Sequence, residues 1–379
     1  MPAGTSALPG IASAPTGSSG SRISELDGIR GLAILLVLLY HYVNVAIPEH
    51  SLWYYALLPS RLGWSGVDLF FVLSGFLIGG ILIDHRGSDR YFSVFYIRRV
   101  HRIFPIYYLM IAFLAVGELV LPHAQLFLTG IPLWVYPLFA QNLMGDFTRG
   151  GVWLGVSWSL AVEEQFYLAF PLVVRLLSRR RLLWFLAACI VGAPLFRAAL
   201  IAQGQGFAQV HALLPARADA LALGVLAAII VRSEEAKRWM IRHSRMCYAS
   251  LFVCIGLLPA LLKWSNYAWQ GTGGYSLLAL TYFQLVLLLL IKPLSPMLTF
   301  FRSAWLRWLG GVSYCVYLIH EPIRHAAFWI AGFGQPVINS PATLTIALGA
   351  LAATLALAQL SWVVLEKRLI TRAHVRYHY

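Results

Sequence analysis

Eleven stretches of this chain are apolar for long enough to approach or reach the roughly 20 residues that a helix needs to cross the hydrocarbon core of a bilayer. They fall near 28–47, 65–83, 103–121, 131–145, 158–177, 182–202, 215–231, 246–263, 274–291, 306–332 and 341–365. The fold class they imply is an all-α integral membrane protein, since runs of this length satisfy their own backbone in lipid only as helices. Composition agrees: 59% of residues are hydrophobic, 12% are charged and the mean hydropathy is +0.72, outside the range of ordinary soluble domains. A net charge of +14 would suit a nucleic acid if it lined one polar face, but the 29 Lys and Arg gather in short runs between the apolar stretches. Membrane lipids are therefore the expected surroundings, and no nucleic-acid partner is expected.

The basic runs also orient the chain, because short loops rich in Lys and Arg stay cytoplasmic. They contain Arg86, Arg90, Arg98, Arg99 and Arg102; Arg175, Arg179, Arg180 and Arg181; Arg232, Lys237, Arg238, Arg242 and Arg245; Lys292, Arg302 and Arg307; and Lys367, Arg368, Arg372 and Arg376. All five groups share one side only if the short run 131–145 is a re-entrant or interfacial segment. The expectation is thus about ten transmembrane helices with the N- and C-termini cytoplasmic, in a multi-pass protein of the cell inner (plasma) membrane. Residues 1–21, rich in Gly, Pro, Ser and Ala, show no basic region followed by an apolar one and are expected to be a disordered tail. One membrane domain over 22–366 and a basic cytoplasmic tail over 367–379 complete the division. Cys189, Cys247, Cys254 and Cys315 lie inside apolar runs without metal-ligand spacing, so they read as small core residues and no metal is expected.

Ionisable groups inside spans cost several kcal/mol each, about 3 kcal/mol on insertion scales, and so mark function by default. On this topology His41 lies about 9 Å inside the outer end of the first span, and Glu163 and Glu164 lie at a similar depth in the 158–177 span. Asp68, Arg217 and Asp219 begin slightly nearer the outer face, and His320 and Glu321 sit near the middle of the 306–332 span. Helices from distant parts of the sequence thus bring His, Glu, Asp and Arg to one slab of the bilayer. A second group lies on the cytoplasmic side, where Asp27 and Arg30 start the first span and Arg98, Arg99 and Arg102 start the third. Arginine's planar fork suits phosphate. Arg30 precedes His41 by eleven residues, roughly 16 Å of helix, so a long-armed phosphate-bearing donor held at Arg30 could present its reactive end near His41. Acyl-coenzyme A is such a molecule.

The same residues resemble those of the membrane acyltransferase-3 family over almost everything after the tail. The resemblance rests on ELDGIRGLAILLVLLYH (25–41), in which Arg30 and His41 form an Arg-x10-His pattern, on GVDLFFVLSGFLI (66–78), and on FYIRRVHRIFPIYY (95–108) with the pair Arg99 and Arg102. It continues through WSLAVEEQFYLAFPL (158–172), where Ser159 and Glu163 form Ser-x3-Glu, ARADALALG (216–224) and GVSYCVYLIHEPI (311–323). It implies an O-acyltransferase of cell-surface polysaccharides and related acceptors, of the stand-alone kind. His41 would be the catalytic base or acyl carrier and Glu163 its partner carboxylate. Arg30, Arg99 and Arg102, with Asp27 beside them, would bind acyl-CoA, most simply acetyl-CoA, as donor substrate; no cofactor is expected to be bound. The acceptor would be a hydroxyl of a carbohydrate or glycolipid.

As chemistry, a neutral imidazole can take the proton of an attacking hydroxyl or accept the acyl group itself, and a carboxylate from Glu163, Glu164 or Asp68 would orient it. Arg217, Ser74 and Trp158 are candidate oxyanion donors. Blander readings stand beside these. Arg98 reads as a topology determinant at the interface, Asp68 and Asp219 could simply pair with Arg217, and His320 and Glu321, which precede Pro322, could mark a helix break. The alternative function class is a polytopic transporter or flippase of a glycolipid or small solute, which also carries charges at membrane depth.

Overall fold

The computed structural model describes residues 23–44, 46, 47, 57–121, 124, 126, 127, 129–144, 151–260 and 270–379; the tail expected over 1–21 lies outside them. Among the described residues the chain is helical, with no strand. Among the described residues the α-helices of eight residues or more are α1 (Ser24–Leu39), α2 (Gly66–Asp84), α3 (Tyr91–Val120), α4 (Trp158–Leu176), α5 (Arg179–Ala202), α6 (Leu214–Val231), α7 (Glu234–Arg242), α8 (Ser244–Leu257), α9 (Tyr275–Ile291), α10 (Ser295–Arg302), α11 (Ala304–Ile330), α12 (Pro341–Ser361) and α13 (Lys367–Arg376).

Seven helical stretches among the described residues are long and apolar enough to cross a membrane: Ser24–Asn44, Pro59–Asp84, Tyr91–Val120, Arg179–Ala202, Phe207–Val231, Gly271–Ile291 and Pro341–Arg376. The other three of the ten expected spans correspond to α4, α8 and α11. The 19 residues of α4 include Glu163, Glu164 and Arg175, the 14 of α8 stop before the undescribed 261–269, and α11 carries Arg307, Glu321 and Arg324. Two of the three are less apolar because they carry candidate site residues.

The expected re-entrant or interfacial segment near 131–145 contains no long helix over its described part. It folds as two short 3-10 turns, Leu133–Leu138 and Gln141–Leu143. With little backbone pairing of its own, it is held by side chains: Tyr107 donates to the carbonyl of Tyr136 (3.0 Å) and Gln165 Nε2 to that of Phe139 (2.9 Å). Phe139 takes a left-handed backbone conformation at φ 51° and stacks on Tyr107 at 4.5 Å between ring centres, a strained turn that this packing compensates.

The core forms where α1 packs between α11 and α2, and α2 packs against α6. Small residues allow the backbones to meet, as usual where lipid offers no hydrophobic drive between helices. A Cβ on Gly310 would overlap the carbonyl of Asp27, and one on Gly75 the carbonyl of Leu221. The α1–α11 seam sets His41 beside His320, and the α2–α6 seam sets Asp68 beside Arg217.

The basic segment 367–379 is mostly helical: α12 runs through a π turn, Trp362–Glu366, into α13, which packs on α3. It is anchored because Arg98 donates to the carbonyl of Tyr377 from Nε (3.1 Å) and Nη2 (2.6 Å), and Tyr379 stacks on His85 at 3.8 Å. His320 and Glu321 do not mark a helix break, since α11 passes unbroken through Pro322.

Candidate active site

A cavity of about 100 Å³ opens between α1, α2, α3, α4 and α11. Arg30, Arg99 and Arg102 line it at one end, together with Ser74, Glu163, Tyr167, Ser159 and Tyr317 along its length, and with apolar walls from Phe70, Leu73 and Ile103 among others. The register of α3 explains the arginines: Arg99 and Arg102 are three apart and share a face. Arg30 is in turn held by Asp27, one turn earlier on α1, at 3.6 Å. The Nε of Arg99 is buried without a hydrogen-bond partner, its guanidinium lying over Phe95 (5.9 Å) and Tyr167 (5.8 Å). An unpaired buried donor of this kind is costly unless a ligand completes it. Arg98, by contrast, donates to the Tyr377 carbonyl and does not line the cavity.

Glu163 sits midway along the cavity, where Ser74 donates to its Oε1 at 2.5 Å and Tyr167 donates to Ser74 at 3.1 Å. Glu164 keeps a buried Oε1 without a partner. Further on, Ser159 and Tyr317 hold their hydroxyl oxygens 2.6 Å apart, and Tyr317 also bonds the Val156 carbonyl. The lining ends there, one turn of α11 before His320.

His41 lies just beyond that point. It does not sit in a regular α-helix but in a π turn, Tyr40–Asn44, that ends α1; such widened turns re-aim side chains and recur at functional sites. Its Nδ1 stands 2.9 Å from the Val37 carbonyl, which holds one tautomer with Nε2 available as a base. His320 Nε2 is 3.3 Å from the same Nδ1, with ring centres at 4.8 Å, while the other nitrogen of His320 is 2.7 Å from the Tyr317 carbonyl. The carboxylate brought to this pair is Glu321, one ligand atom of each of the three residues lying within 4.8 Å of the others. Glu163, the partner that depth and motif nominate, stands instead with Ser74 and Tyr167. Depth along two helices does not reveal the rotation of each about its axis, and that rotation decides the pairing.

Two His and a carboxylate could hold a metal ion, which the sequence does not lead one to expect. Here Arg324 and His325 both contact Glu321 Oε2, at 2.9 and 3.4 Å. A guanidinium in the cluster opposes a cation, so the donor set fits a hydrogen-bonded proton-handling group better than a metal centre.

The remaining candidates form a separate cluster outside the cavity. Asp68 and Arg217 make a fully buried ion pair, with Arg217 over the Tyr275 ring at 4.1 Å. Asp219 pairs with Arg197 rather than Arg217, at 2.9 Å. Trp158 packs on His211 at 4.4 Å and on Phe71 at 6.1 Å. Of the proposed oxyanion donors only Ser74 lines the cavity. Arg197 and Arg324 escape the sequence reading. Both are ionisable residues inside apolar runs, the signal that singled out Arg217, and it could have found them.

No solved structure matches the chain. It is 28% identical, over a 371-position alignment that covers 92% of its length, to a Bacillus subtilis protein provisionally named a peptidoglycan O-acetyltransferase. It is 26% identical over 394 aligned residues to the peptidoglycan O-acetyltransferase of Listeria monocytogenes, covering 94% of this chain. A viral protein of Acidianus two-tailed virus, provisionally named an acetyltransferase, is 27% identical over 300 residues, 79% of this chain and 82% of its own length. The chain spans little more than half the length of the two bacterial relatives, 55% and 57%. The sequence model of the acyltransferase-3 family, described as an acyltransferase domain, matches residues 23–363. A match over that much of the chain makes this protein a member of the acyltransferase-3 family.

Proposed function

We propose that this protein is an O-acyltransferase of the inner membrane that moves an acyl group, in the simplest case acetyl, from cytoplasmic acyl-CoA to a hydroxyl of a cell-wall or lipid-linked carbohydrate. The observation that carries this reading is the cavity that joins three arginines to Glu163, Ser159 and Tyr317, with His41 beside His320, one turn of α11 past the Tyr317 lining. Ten spans with both chain ends cytoplasmic would put the arginines on the donor's side. Arg30, Arg99 and Arg102 would hold the donor's phosphates, the unpaired Arg99 Nε among their contacts, and the pantetheine arm would lie along the apolar walls. The thioester would then sit near Ser74, Ser159 and Tyr317, hydroxyls able to donate to the developing oxyanion.

The acceptor would approach from the His41 end. His41 Nε2 would take its proton as the hydroxyl oxygen attacks the thioester carbonyl, and coenzyme A thiolate would leave toward the arginines, to be protonated in water. Glu321 would stabilise the imidazolium formed in that step. The bacterial relatives' names point to peptidoglycan as one acceptor class. Family membership favours group transfer over the transporter reading.

Purified protein in detergent, given radiolabelled acetyl-coenzyme A and a lipid-linked glycan fraction, tests the proposal. Wild type should release coenzyme A and label the glycan, while His41→Ala and Arg99→Ala should do neither at the same donor concentration. Release and labelling by His41→Ala at the wild-type rate would refute the assigned chemistry.

A further inference from the structure

Arg324 takes no part in the transfer as written above, yet it is 3% exposed and both of its terminal nitrogens are engaged beside His41, while its Nε is buried without a hydrogen-bond partner. Its Nη1 donates to the backbone carbonyl of His41 at 2.7 Å, and its Nη2 donates to Glu321 Oε2 at 2.9 Å. The same guanidinium lies 5.9 Å from the ring of Tyr42, whose hydroxyl donates to the carbonyl of His320 at 3.2 Å. One side chain therefore touches both the backbone of His41 and the carboxylate that faces its imidazole, with His325 on the same carboxylate oxygen at 3.4 Å.

The need for such a group follows from the local fold. The last carbonyls of a helix have no N–H to receive, and α1 with its π turn ends at Asn44, three residues past His41. A turn this short has no cooperative length to hold its own geometry. Arg324 supplies the missing donor from a neighbouring helix whose position is fixed by the tight α1–α11 seam at Gly310. An arginine buried for stability alone would be a poor choice, because desolvation offsets most of the gain from its ion pair.

We propose that Arg324 is the positioning residue of this site, fixing the π turn that aims His41 and holding Glu321 against its imidazole at one distance. The inference rests on the reading of His41 as the base. Arg324 touches no substrate in this scheme and acts only through His41 and Glu321.

The test uses the full chain in detergent and compares wild type with Arg324→Met, Arg324→Lys, Glu321→Gln, the double variant Arg324→Met/Glu321→Gln, and His41→Ala. A displacement of about 1 Å in a reacting group can cost on the order of 100-fold. Arg324→Met should accordingly lower kcat by about 10- to 100-fold, with the KM for acyl-CoA within about twofold of wild type. Lysine keeps the charge but lacks the fork that reaches both acceptors, so Arg324→Lys should recover part of the loss. The double variant should be no slower than the slower single one, because both changes break one linkage.

A wild-type kcat in Arg324→Met, with His41→Ala inactive, overturns this inference and leaves the proposed function standing. A double variant whose loss is the product of the two single losses also overturns it. An active His41→Ala brings down the reading beneath it. If Arg324→Met aggregates, Arg324→Lys and Glu321→Gln carry the test, and an unchanged kcat in both refutes the proposal.

Discussion

Replacing Arg197 by Met tests the structural core independently of any enzyme activity. The guanidinium is 0% exposed and donates to the carbonyls of Gly271 (2.5 Å), Ala216 and Thr272 (3.1 Å), to the Ser276 hydroxyl (2.7 Å) and to Asp219 Oδ2 (2.9 Å). Methionine fills much of the volume but leaves Asp219 as a buried charge whose remaining bonds come from Ser276 (2.6 Å) and the backbone N–H of Ala220 (2.9 Å). Breaking a buried pair on one side costs about 3–5 kcal/mol, and the orphaned carbonyls add to that unless they find new donors. At 1.4 kcal/mol per factor of ten, the lower figure is already more than 100-fold in the folded-to-unfolded ratio. Asp219→Asn on the same background removes the uncompensated charge, so the double variant should recover at least about 1 kcal/mol of the loss. Denaturant titration in detergent, followed by tryptophan fluorescence at fixed lipid-to-detergent ratio, reads both values. A single variant within about 1 kcal/mol of wild type, or a double variant less stable than the single, would refute the account of Arg197 and Asp219 as a pair that must be kept or removed together.

Three further variants have expected outcomes. Arg102→Ala removes one charge-assisted contact to the donor, about 1.5–3 kcal/mol, and should raise the KM for acyl-CoA roughly 10- to 100-fold in initial-rate assays; Arg98→Ala should leave that KM unchanged and instead expose α13 to protease near Tyr377. Gly310→Leu should force α1 away from α11, cost about 1–3 kcal/mol by overpacking, and abolish coenzyme A release even in protein that stays monodisperse on gel filtration.

Element existence was legible because the length of apolar runs between basic loops is nearly a direct readout of membrane helices. Seven expected spans reappear as helices that satisfy length and apolarity, whereas α4 and α11 fall short through the ionisable residues that make them interesting, Glu163 and Glu321 among them. The short run near 131–145 was recognisable as different because it lacks the residues for a full crossing. Contacts between helices were the illegible part. Sequence spacing gives depth, so His41 and Glu163 could be placed in one slab, but not the azimuth that turns Glu163 toward Ser74 and Glu321 toward His41. The anchoring of α13 was hidden for a related reason: a run with Lys367, Arg368, Arg372 and Arg376 looks solvated until Arg98 and His85 are seen to receive its far end. Of the two buried pairs, Asp68–Arg217 was among the pairings the sequence offered, whereas Asp219–Arg197 was not, because Arg197 escaped the reading and Asp219 was matched to Arg217 instead.

The contact between Ser159 and Tyr317 has a consequence for the cell as well as for the reaction. A polar recess that ran clear through the protein would be a path for protons and ions, and a cell that spent its energised state through such a hole could not keep the enzyme. Were the donor loaded from the cytoplasm as proposed, the two hydroxyls, 2.6 Å apart between the recess and the imidazoles, would act as a bulkhead that parts only for the acyl group, so that two compartments could be served without being short-circuited.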